Sequence, residues 1–273
     1  MKPLAMRDVL LEKIWQEMSL DSLIFFVSAD FGSPVLDKIR RDFPDRFINV
    51  GIAEQNLINI TAGLAIEGYK VFAYAIAPFI TMRCYEQIRV SLALLSEVRP
   101  MNVNLIGVGA GYSYVVSGPT HQCYEDITIM RALPNFQVLS PADHVTTSSL
   151  FEDCVTTNGL RYFRLDAQVQ PVLYTLDLPS TTDGFHFHQK GEKVCFIATG
   201  FMTHTAFKVA EEINKIGFKV GIIDIFNLTN FSKEGLKKVL ESYLAIVSFE
   251  EGFRGRGGLD SMLFEFIAES KLN

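Results

Sequence analysis

The chain has 273 residues, of which 48% are apolar and 21% charged, and these proportions exclude a disordered or collagen-like chain. The 25 basic residues are outnumbered by 31 acidic ones, for a formal charge of −6, and no basic run is longer than a pair. Because nucleic-acid binding needs a basic surface, we expect no nucleic-acid partner.

The apolar stretches and the cysteines indicate the cellular compartment. No apolar stretch is long enough to span a bilayer, and the N-terminus leads into a charged helical pattern, so we expect neither a membrane partner nor a signal peptide. The four cysteines are widely spaced and form no Cys-x-x-Cys motif, which is typical of reduced thiols in the cytoplasm. We therefore expect a cytoplasmic protein without metal ligands of its own, although the pair His186 and His188 leaves a metal site as an alternative.

Strands and helices alternate through the first part of the chain. Apolar runs predict strands at 23–28, 71–74, 103–107, 136–139 and 162–165. Amphipathic patterns predict helices at 7–18, 54–66, 85–95, 125–132 and 142–158. Strands separated by helices are typical of βαβ units, so the predicted fold class is α/β, with a doubly wound, mainly parallel sheet.

A polar stretch at 167–191 follows the last of these strands and is rich in Gln, Pro, Thr, Asp and Gly. No run within it could bury an apolar face, so we interpret it as an interdomain linker. The alternation then resumes, with strands predicted at 194–198, 219–224 and 245–249 and helices at 203–216, 233–242 and 259–270. Residues 1–166 are thus expected to form a first domain, and residues 192–273 a smaller α/β domain.

Two short segments carry side chains suited to chemistry. Glu54 lies in the first turn of a predicted helix, directly after a strand-like piece that ends at Gly51. Its simplest interpretation is a carboxylate that complements the helix dipole and contributes up to about 1 kcal/mol. The motif Gly118-Pro-Thr-His121 predicts a tight turn, and an exposed loop residue is the simplest interpretation of its histidine.

A third segment places Phe79, Met82 and Tyr85 three residues apart, which would put them on one face of a helix. Such an apolar stripe usually belongs to a hydrophobic core. The alternative is a wall against which a heteroaromatic ring lies.

In combination, these segments resemble the pyrimidine-binding half of transketolase and, more distantly, deoxyxylulose-phosphate synthase and the β subunits of 2-oxoacid dehydrogenases. The resemblance is carried, in chain order, by Ile52-Ala-Glu-Gln55, the helix with Phe79 and Tyr85, Gly118-Pro-Thr-His-Gln122, Arg131-Ala-Leu-Pro-Asn135 and Ser140-Pro-Ala-Asp143. The segments that resemble the transketolase C-terminal domain are Val247-Ser-Phe-Glu-Glu-Gly-Phe253 and Gly257-Gly-Leu259. The resemblance therefore covers essentially the whole chain.

The resemblance implies a cofactor and a partner. In this family thiamine diphosphate lies between two domains, one that binds the diphosphate with its divalent metal and one that binds the aminopyrimidine. The chain has no Gly-Asp-Gly segment followed by a metal-ligating Asn, so it resembles only the second kind, as in the small subunit of a split transketolase. A partner N-terminal subunit would then supply the ligands for Mg²⁺ or Ca²⁺, and we expect a homodimer of this chain within an α2β2 assembly.

The family motif implies roles for individual residues. Glu54 matches the glutamate that hydrogen-bonds the pyrimidine nitrogen N1′ and favours the imino tautomer, which removes the proton from thiazolium C2. Phe79, Met82 and Tyr85 match positions that pack against the pyrimidine, and Asp30 resembles an aspartate near the thiazolium. These five residues are the expected cofactor-binding set, and the catalytic residues are expected to be Glu54 and the histidine of the Gly-Pro-Thr-His motif.

The resemblance also implies substrate contacts. His121 matches the histidine that faces the reacting substrate, and Arg7 and Arg164 fall near places where basic groups hold substrate phosphates. Two positions depart from the family, since Gly109 stands in place of a phosphate-binding histidine and Ser117 in place of an aspartate that senses a substrate hydroxyl. Because a buried phosphate needs charge-assisted donors, a larger or uncharged sugar, such as a nucleotide-linked one, is an alternative to a sugar phosphate.

The expected activity is the transfer of a two-carbon ketol group from a ketose to an aldose in carbohydrate metabolism. Two alternatives remain, a β subunit of a 2-oxoacid dehydrogenase-type enzyme and a non-catalytic assembly subunit. The motif that contains His121 favours transketolase over the first alternative. The presence of both Glu54 and His121 argues against the second, because a scaffold needs neither side chain.

Overall fold

Two sheets organise residues 2–174 and 180–272, which are the residues that the computed structural model describes. The strands of the first sheet are β1 Ile24–Ser28, β2 Phe47–Asn49, β3 Lys70–Ile76, β4 Asn102–Val108, β5 Phe136–Leu139 and β6 Gly159–Leu165. Their order is β2-β1-β3-β4-β6-β5, and every neighbouring pair is parallel. This confirms the predicted α/β class with a mainly parallel sheet.

Helices cover both faces of this sheet, which confirms the doubly wound architecture. The helices are α1 Met6–Met18, α2 Pro34–Asp42, α3 Glu54–Ile66, α4 Tyr85–Gln87, α5 Asp126–Arg131, α6 His144–Ser149 and α7 Phe151–Thr156. Successive strand residues point to opposite faces, so Phe72 packs in a cluster with Leu10 of α1, whereas Val71 packs in a second cluster with Leu57 of α3.

Helix α2 was not predicted from the sequence, although its start carries two recognisable signals. The side chain of Ser33 accepts a hydrogen bond from the backbone N–H of Leu36, and Pro34 occupies the first helical position. A serine cap followed by proline is a common helix start, because the cap satisfies an otherwise unpaired donor and proline lacks one. Only Leu36 and Ile39 of this short helix are buried, so few apolar positions marked it in the sequence.

The second sheet is smaller and mixed. Its strands are β7 Phe185–Gln189, β8 Val194–Ala198, β9 Gly221–Ile225 and β10 Ala245–Phe249, with helices α8 Phe201–Asn214, α9 Lys233–Leu240 and α10 Leu259–Ser270. The order is β10-β8-β9-β7, and only β7 runs antiparallel to its neighbour. The sheet confirms the predicted second α/β unit. None of the helices in the described part of the chain has the length and apolar character needed to cross a bilayer.

Strand β7 lies inside 167–191, the range expected to be a linker, so part of that range belongs to the second sheet. The strand alternates Phe185 and Phe187 with histidines, a period of two that the polar residues around it obscured. Residues 175–179 of the expected linker lie outside the described residues. The domain boundaries at 166 and 192 stay predictions.

Tyr174 anchors the preceding chain to the second sheet. Its hydroxyl donates to Oδ2 of Asp224 at 2.6 Å, and burial raises the pKa of that carboxyl to about 7. Its ring also packs against His186 and His188 of β7, and burial lowers the pKa of His188 to about 3. The two histidines that left a metal site open are therefore half-buried and pack against an aromatic ring.

A buried ion-pair network joins the two domains. The guanidinium of Arg164, in β6, lies 3.0 Å from Oδ2 of Asp126 and 3.7 Å from Oε2 of Glu251, which follows β10. The hydroxyl of Tyr162 donates to Asp126 at 2.9 Å. Burial disfavours the charge of Arg164, but the two carboxylates outweigh it and raise the pKa of the guanidinium.

Removal of one charge from this network should destabilise the protein strongly. We expect Asp126→Asn to lower the free energy of unfolding by about 3 kcal/mol or more, because it leaves the buried cation with less compensation. Glu212→Gln is the matched control, since Glu212 pairs with Lys215 on the exposed surface of α8 and should change stability by less than about 1 kcal/mol. Chemical denaturation followed by circular dichroism measures both, and equal losses would contradict the role given to the network.

Candidate active site

The predicted site residues collect at the carboxyl-terminal edge of the first sheet. Asp30 follows β1, Glu54 opens the helix after β2, Phe79 follows β3, and His121 lies in the loop after β4. All six strands are parallel, so their carboxyl ends share one edge, and strand β1 lies between β2 and β3 in the sheet. Ligands of open α/β sheets bind at this edge, where the strand order reverses.

The carboxylate of Glu54 is enclosed rather than exposed. Only 3% of its side chain is accessible, although it is the first residue of α3 and no side chain caps the helix at Ala53. Nη1 of Arg83 donates to both carboxylate oxygens, at 2.9 and 2.8 Å. A carboxylate that served only the helix dipole would stay in water, so its enclosure requires another explanation.

The segment that carries the apolar stripe is not a regular α-helix. Phe79–Arg83 and Ile88–Leu94 are π-helical turns on either side of α4, and such turns are frequent at functional sites. The wider turn changes the angle between successive side chains. Phe79, Met82 and Tyr85 therefore do not lie on one face as predicted. Met82 is exposed, whereas Tyr85 is half-buried and its hydroxyl donates to the carbonyl of Ile129 at 2.8 Å.

Phe79 and Arg83 meet at the centre of the site. The Cζ atom of Arg83 lies 4.3 Å from the centroid of the Phe79 ring, which is a cation–π contact. Cys84, the next residue, is buried, and burial raises the pKa of its thiol to about 12, with a further contribution from the charge of Glu54. The π-helical turn thus presents a flat cation between an aromatic face and an enclosed carboxylate.

His121 extends this arrangement toward the start of the loop after β4, which contains Gly109 and Gly111. Its ring lies edge-on to Phe79, with 5.4 Å between centroids, and edge-on to Tyr114, with 6.3 Å. Nδ1 is 3.0 Å from Oγ1 of Thr120, a contact that orients the ring. A continuous line of contacts therefore runs from Glu54 through Arg83, Phe79 and His121 to Tyr114.

Tyr114 fills the space that a side chain at position 109 would need. A Cβ atom on Gly109 would overlap Cε2 of Tyr114, and Gly109 has a φ of +85°, which favours glycine. Burial raises the pKa of the Tyr114 phenol, and the nearby positive charge of Arg7 opposes this shift. Arg7, in α1, therefore lies near the aromatic ring that fills this space.

The second domain fixes the start of this loop. Oε1 of Glu251 accepts a hydrogen bond from the backbone N–H of Tyr112 at 3.0 Å, and a Cβ on Gly111 would overlap the same carboxylate. Gly111 and Cys123 pair through two backbone hydrogen bonds of 2.8 and 2.9 Å, which close the loop that carries Tyr114 and His121.

The remaining predicted residues have their hydrogen bonds or exposed side chains outside this line of contacts. Nδ2 of Asn49 donates to Oδ1 of Asp30 at 3.1 Å, and Ser117 is exposed on the loop. Nε of Arg7 donates to Oδ1 of Asp8 at 2.8 Å. Arg164 has a different role from the predicted substrate contact, because a guanidinium enclosed by two protein carboxylates presents no free donor fork to a phosphate.

Sequence reasoning missed three residues that shape the site, Arg83, Tyr114 and Glu251. Arg83 lies inside the apolar motif, four residues after Phe79, and a lone charge in such a stripe was a usable signal. Tyr114 belongs to residues 107–117, which include three glycines and two tyrosines, and this composition was a second usable signal. Glu251 lies in a segment that carries the resemblance, but its contacts could not be read from that segment, because those with Tyr112 and Arg164 span 139 and 87 residues of sequence.

The geometry at Glu54 fits one half of thiamine diphosphate. An enclosed carboxylate beside an aromatic face suits a flat, polar heterocycle such as the aminopyrimidine, whose ring nitrogen needs a hydrogen-bonding partner and whose faces are apolar. Across residues 2–174 and 180–272, no group of three His, Cys, Asp or Glu side chains could hold a metal ion. The residues that would hold the ring are therefore Glu54 and Phe79.

Comparisons with known proteins agree with this geometry. Residues 2–170 match the family described as transketolase, pyrimidine binding domain, and residues 185–273 match transketolase, C-terminal domain. The chain is similar to one subunit of the apulose-4-phosphate transketolase of Phocaeicola vulgatus, with 30% identity over 96% of this chain and 82% of that protein. It is also similar to a 6-deoxy-6-sulfo-D-fructose transketolase subunit of Clostridium sp., with 26% identity over 97% of this chain and 81% of that protein.

A solved structure of a transketolase is also similar to this chain. A protein described as a split gene transketolase, inactive beta4 tetramer, superposes with a TM-score of 0.86 and has 29% identity. The match covers 98% of this chain and 86% of that one.

The packing of Tyr114 against Gly109 predicts a steric effect on stability. We expect Gly109→Ala to lower the free energy of unfolding by about 1 to 3 kcal/mol more than Gly118→Ala, because its methyl group meets the ring. Gly118 is the matched control, since its φ is also positive, at +69°, and nothing lies within 4 Å of a Cβ there. The excess should vanish in a Tyr114→Ala background, and an unchanged excess in chemical denaturation would contradict this packing.

Proposed function

The chain belongs to the transketolase family, as its motifs predicted, and on that basis we propose that it is the C-terminal subunit of a split, thiamine-diphosphate-dependent transketolase. The reaction is the transfer of a two-carbon ketol group from a ketose to an aldose in carbohydrate metabolism. The observation that carries the proposal is the enclosed carboxylate of Glu54, which Arg83 links to the face of Phe79. The four cysteines are free and buried, which supports a cytoplasmic location.

Glu54 is the proposed general acid–base residue. When bound, thiamine diphosphate supplies the thiazolium carbon that carries the two-carbon unit. The carboxyl group of Glu54 would hydrogen-bond the pyrimidine ring nitrogen and share a proton with it, and the protein around the carboxyl would exclude water. Enclosure strengthens this interaction because few water molecules compete for the carboxylate.

His121 is the proposed substrate-facing residue. The contact between Nδ1 and Thr120 holds the ring, and Phe79 and Tyr114 enclose it from two sides. We assign the other ring nitrogen, Nε2, to a carbonyl or hydroxyl oxygen of the sugar. Nε2 would donate to a carbonyl oxygen when it carries a proton and accept from a hydroxyl when it does not, which suits both cleavage and formation of a carbon–carbon bond.

A partner subunit completes the proposed site. The diphosphate and its metal ion, Mg²⁺ or Ca²⁺, require ligands that we assign to an N-terminal transketolase subunit in an α2β2 assembly. The related chain described as an inactive beta4 tetramer supports this requirement, because that assembly contains no second kind of subunit. Ile52, Val115 and Val116 are exposed apolar side chains on loops of the same sheet edge, and they are candidates for the contact with the partner.

The proposed substrate is an unusual sugar. Tyr114 and Arg7, rather than a cation at position 109, would face the end of the sugar that does not react. The relatives are described as transketolases of apulose 4-phosphate and of 6-deoxy-6-sulfo-D-fructose, both of which carry an anionic group. A sugar with its own phosphate or sulfonate group is therefore the first choice, with Arg7 as the cation that would bind that group, and a nucleotide-linked or an uncharged sugar is the alternative.

The function is tested by removal of the Glu54 carboxylate in the pair reconstituted with its N-terminal subunit. We expect Glu54→Gln to reduce ketol transfer by about 10² to 10⁴-fold while assembly survives, because the amide cannot exchange a proton. Glu67→Gln, at the exposed other end of α3, is the matched control and should leave turnover unchanged. Full turnover in Glu54→Gln would favour a non-catalytic assembly subunit, and acylation of lipoamide in place of ketol transfer would favour a 2-oxoacid dehydrogenase.

The substrate class is tested at Arg7. We expect Arg7→Gln to lower the ratio of kcat/KM for glyceraldehyde 3-phosphate over glyceraldehyde by about 10-fold or more, which is the effect of one charge-assisted hydrogen bond. Arg40→Gln is the control, because Arg40 is an exposed arginine of α2. A ratio near one in the unmodified enzyme would contradict recognition of a phosphate on the acceptor and favour the uncharged or nucleotide-linked alternative.

A further inference from the structure

Arg83 makes the contacts that a bound aminopyrimidine would need. Its planar guanidinium lies over the Phe79 ring at 4.3 Å, and its Nη1 donates to both oxygens of Glu54. A flat group that stacks on Phe79 and hydrogen-bonds Glu54 is also the description of the aminopyrimidine in the proposed site. The two groups cannot occupy the same ring face and the same carboxylate at once.

We propose that Arg83 is a positioning residue that stands in for the pyrimidine in the free subunit and is displaced when the cofactor binds. This inference rests on the proposed function, since it needs the pyrimidine to bind at Glu54. It assigns to Arg83 a role in cofactor affinity and in the stability of the free subunit, and no role in the chemical step.

The need for such a residue follows from the burial of Glu54. An enclosed carboxylate without a partner is strongly unfavourable, because burial removes its hydration. In the free subunit, Arg83 supplies the missing partner and keeps the carboxylate and the Phe79 ring in their positions. The pocket can therefore form before the N-terminal subunit and the cofactor arrive.

Displacement is possible because the burial of the pair is unequal. Only 3% of the Glu54 side chain is exposed, whereas 44% of the Arg83 side chain is exposed. Arg83 can rotate its guanidinium into water without leaving a charge inside the protein, but Glu54 cannot. The backbone of the π-helical turn need not move, and the carbonyl of Arg83 keeps its contact with Nε2 of Gln55, at 3.4 Å.

Occupation of the pocket by Arg83 lowers the apparent affinity for the cofactor. Only the fraction of molecules in which Arg83 has left the pocket can bind, so the apparent Kd rises as that fraction falls. Removal of the guanidinium should therefore have two opposite effects. The free subunit should become less stable, because Glu54 loses its partner, and the reconstituted pair should bind thiamine diphosphate more tightly.

The test compares Arg83→Met with Arg83→Lys and with the control Arg89→Met. Lysine keeps the charge but lacks the planar fork, so it should give an intermediate result. Arg89 lies six residues further along the same segment and pairs with Glu86 in an exposed contact, so its removal should change neither property. The readouts are the Tm of the isolated subunit and the Kd of thiamine diphosphate with Mg²⁺ for the reconstituted pair, measured by titration calorimetry.

We expect the Kd to fall by about 10-fold in Arg83→Met, and the Tm of the free subunit to fall by several degrees. An unchanged or higher Kd in both Arg83 variants would overturn the inference, because Arg83 would then be neutral or part of the bound site. If Arg83→Met does not fold, Arg83→Lys decides: a lower Kd supports the inference, and an unchanged or higher Kd overturns it. Failure of the unmodified pair to bind thiamine diphosphate would instead overturn the proposed function itself.

Discussion

A single buried cation holds the two domains and the site loop together. Arg164 is enclosed between Asp126 of the first domain and Glu251 of the second, and the same Glu251 carboxylate receives the backbone N–H of Tyr112 at the start of the loop. Each charge is tolerable inside the protein only because the others are present. One set of contacts therefore contributes both to the orientation of the domains and to the position of the loop.

This constraint gives the second domain an indirect part in the site. None of the residues that the family motif marks as catalytic or cofactor-binding belongs to it, yet Glu251 determines where the loop begins. The loop in turn carries Tyr114 and His121 to the ring of Phe79. The line of contacts is assembled from segments that follow β2, β3 and β4, so it needs both the parallel sheet and the second domain.

Local patterns predicted what depends on local physics. The bounds of α3 and β10 agree with the periodicity of the sequence, and the shared edge of parallel strands accounts for Glu54 and His121 lying at one side of the sheet. The π-helical turns were not predicted, because an α-helical spacing was assumed through Phe79–Arg83. The burial of Arg164 could not be read from the sequence at all, because its partners lie 38 and 87 residues away.

The two arginines that pair with buried carboxylates show how the surroundings of one residue type separate structural from functional roles. Arg164 is enclosed together with two carboxylates, so any movement would strand charges in a medium of low dielectric constant. Arg83 has one carboxylate partner and nearly half of its side chain in water, so its departure costs only the contacts with Glu54 and Phe79. A ligand that restores those two contacts can replace Arg83, whereas no small ligand can replace Arg164. Exposure of the cation, rather than the length of the ion pair, is therefore what makes the pocket at Glu54 open to exchange.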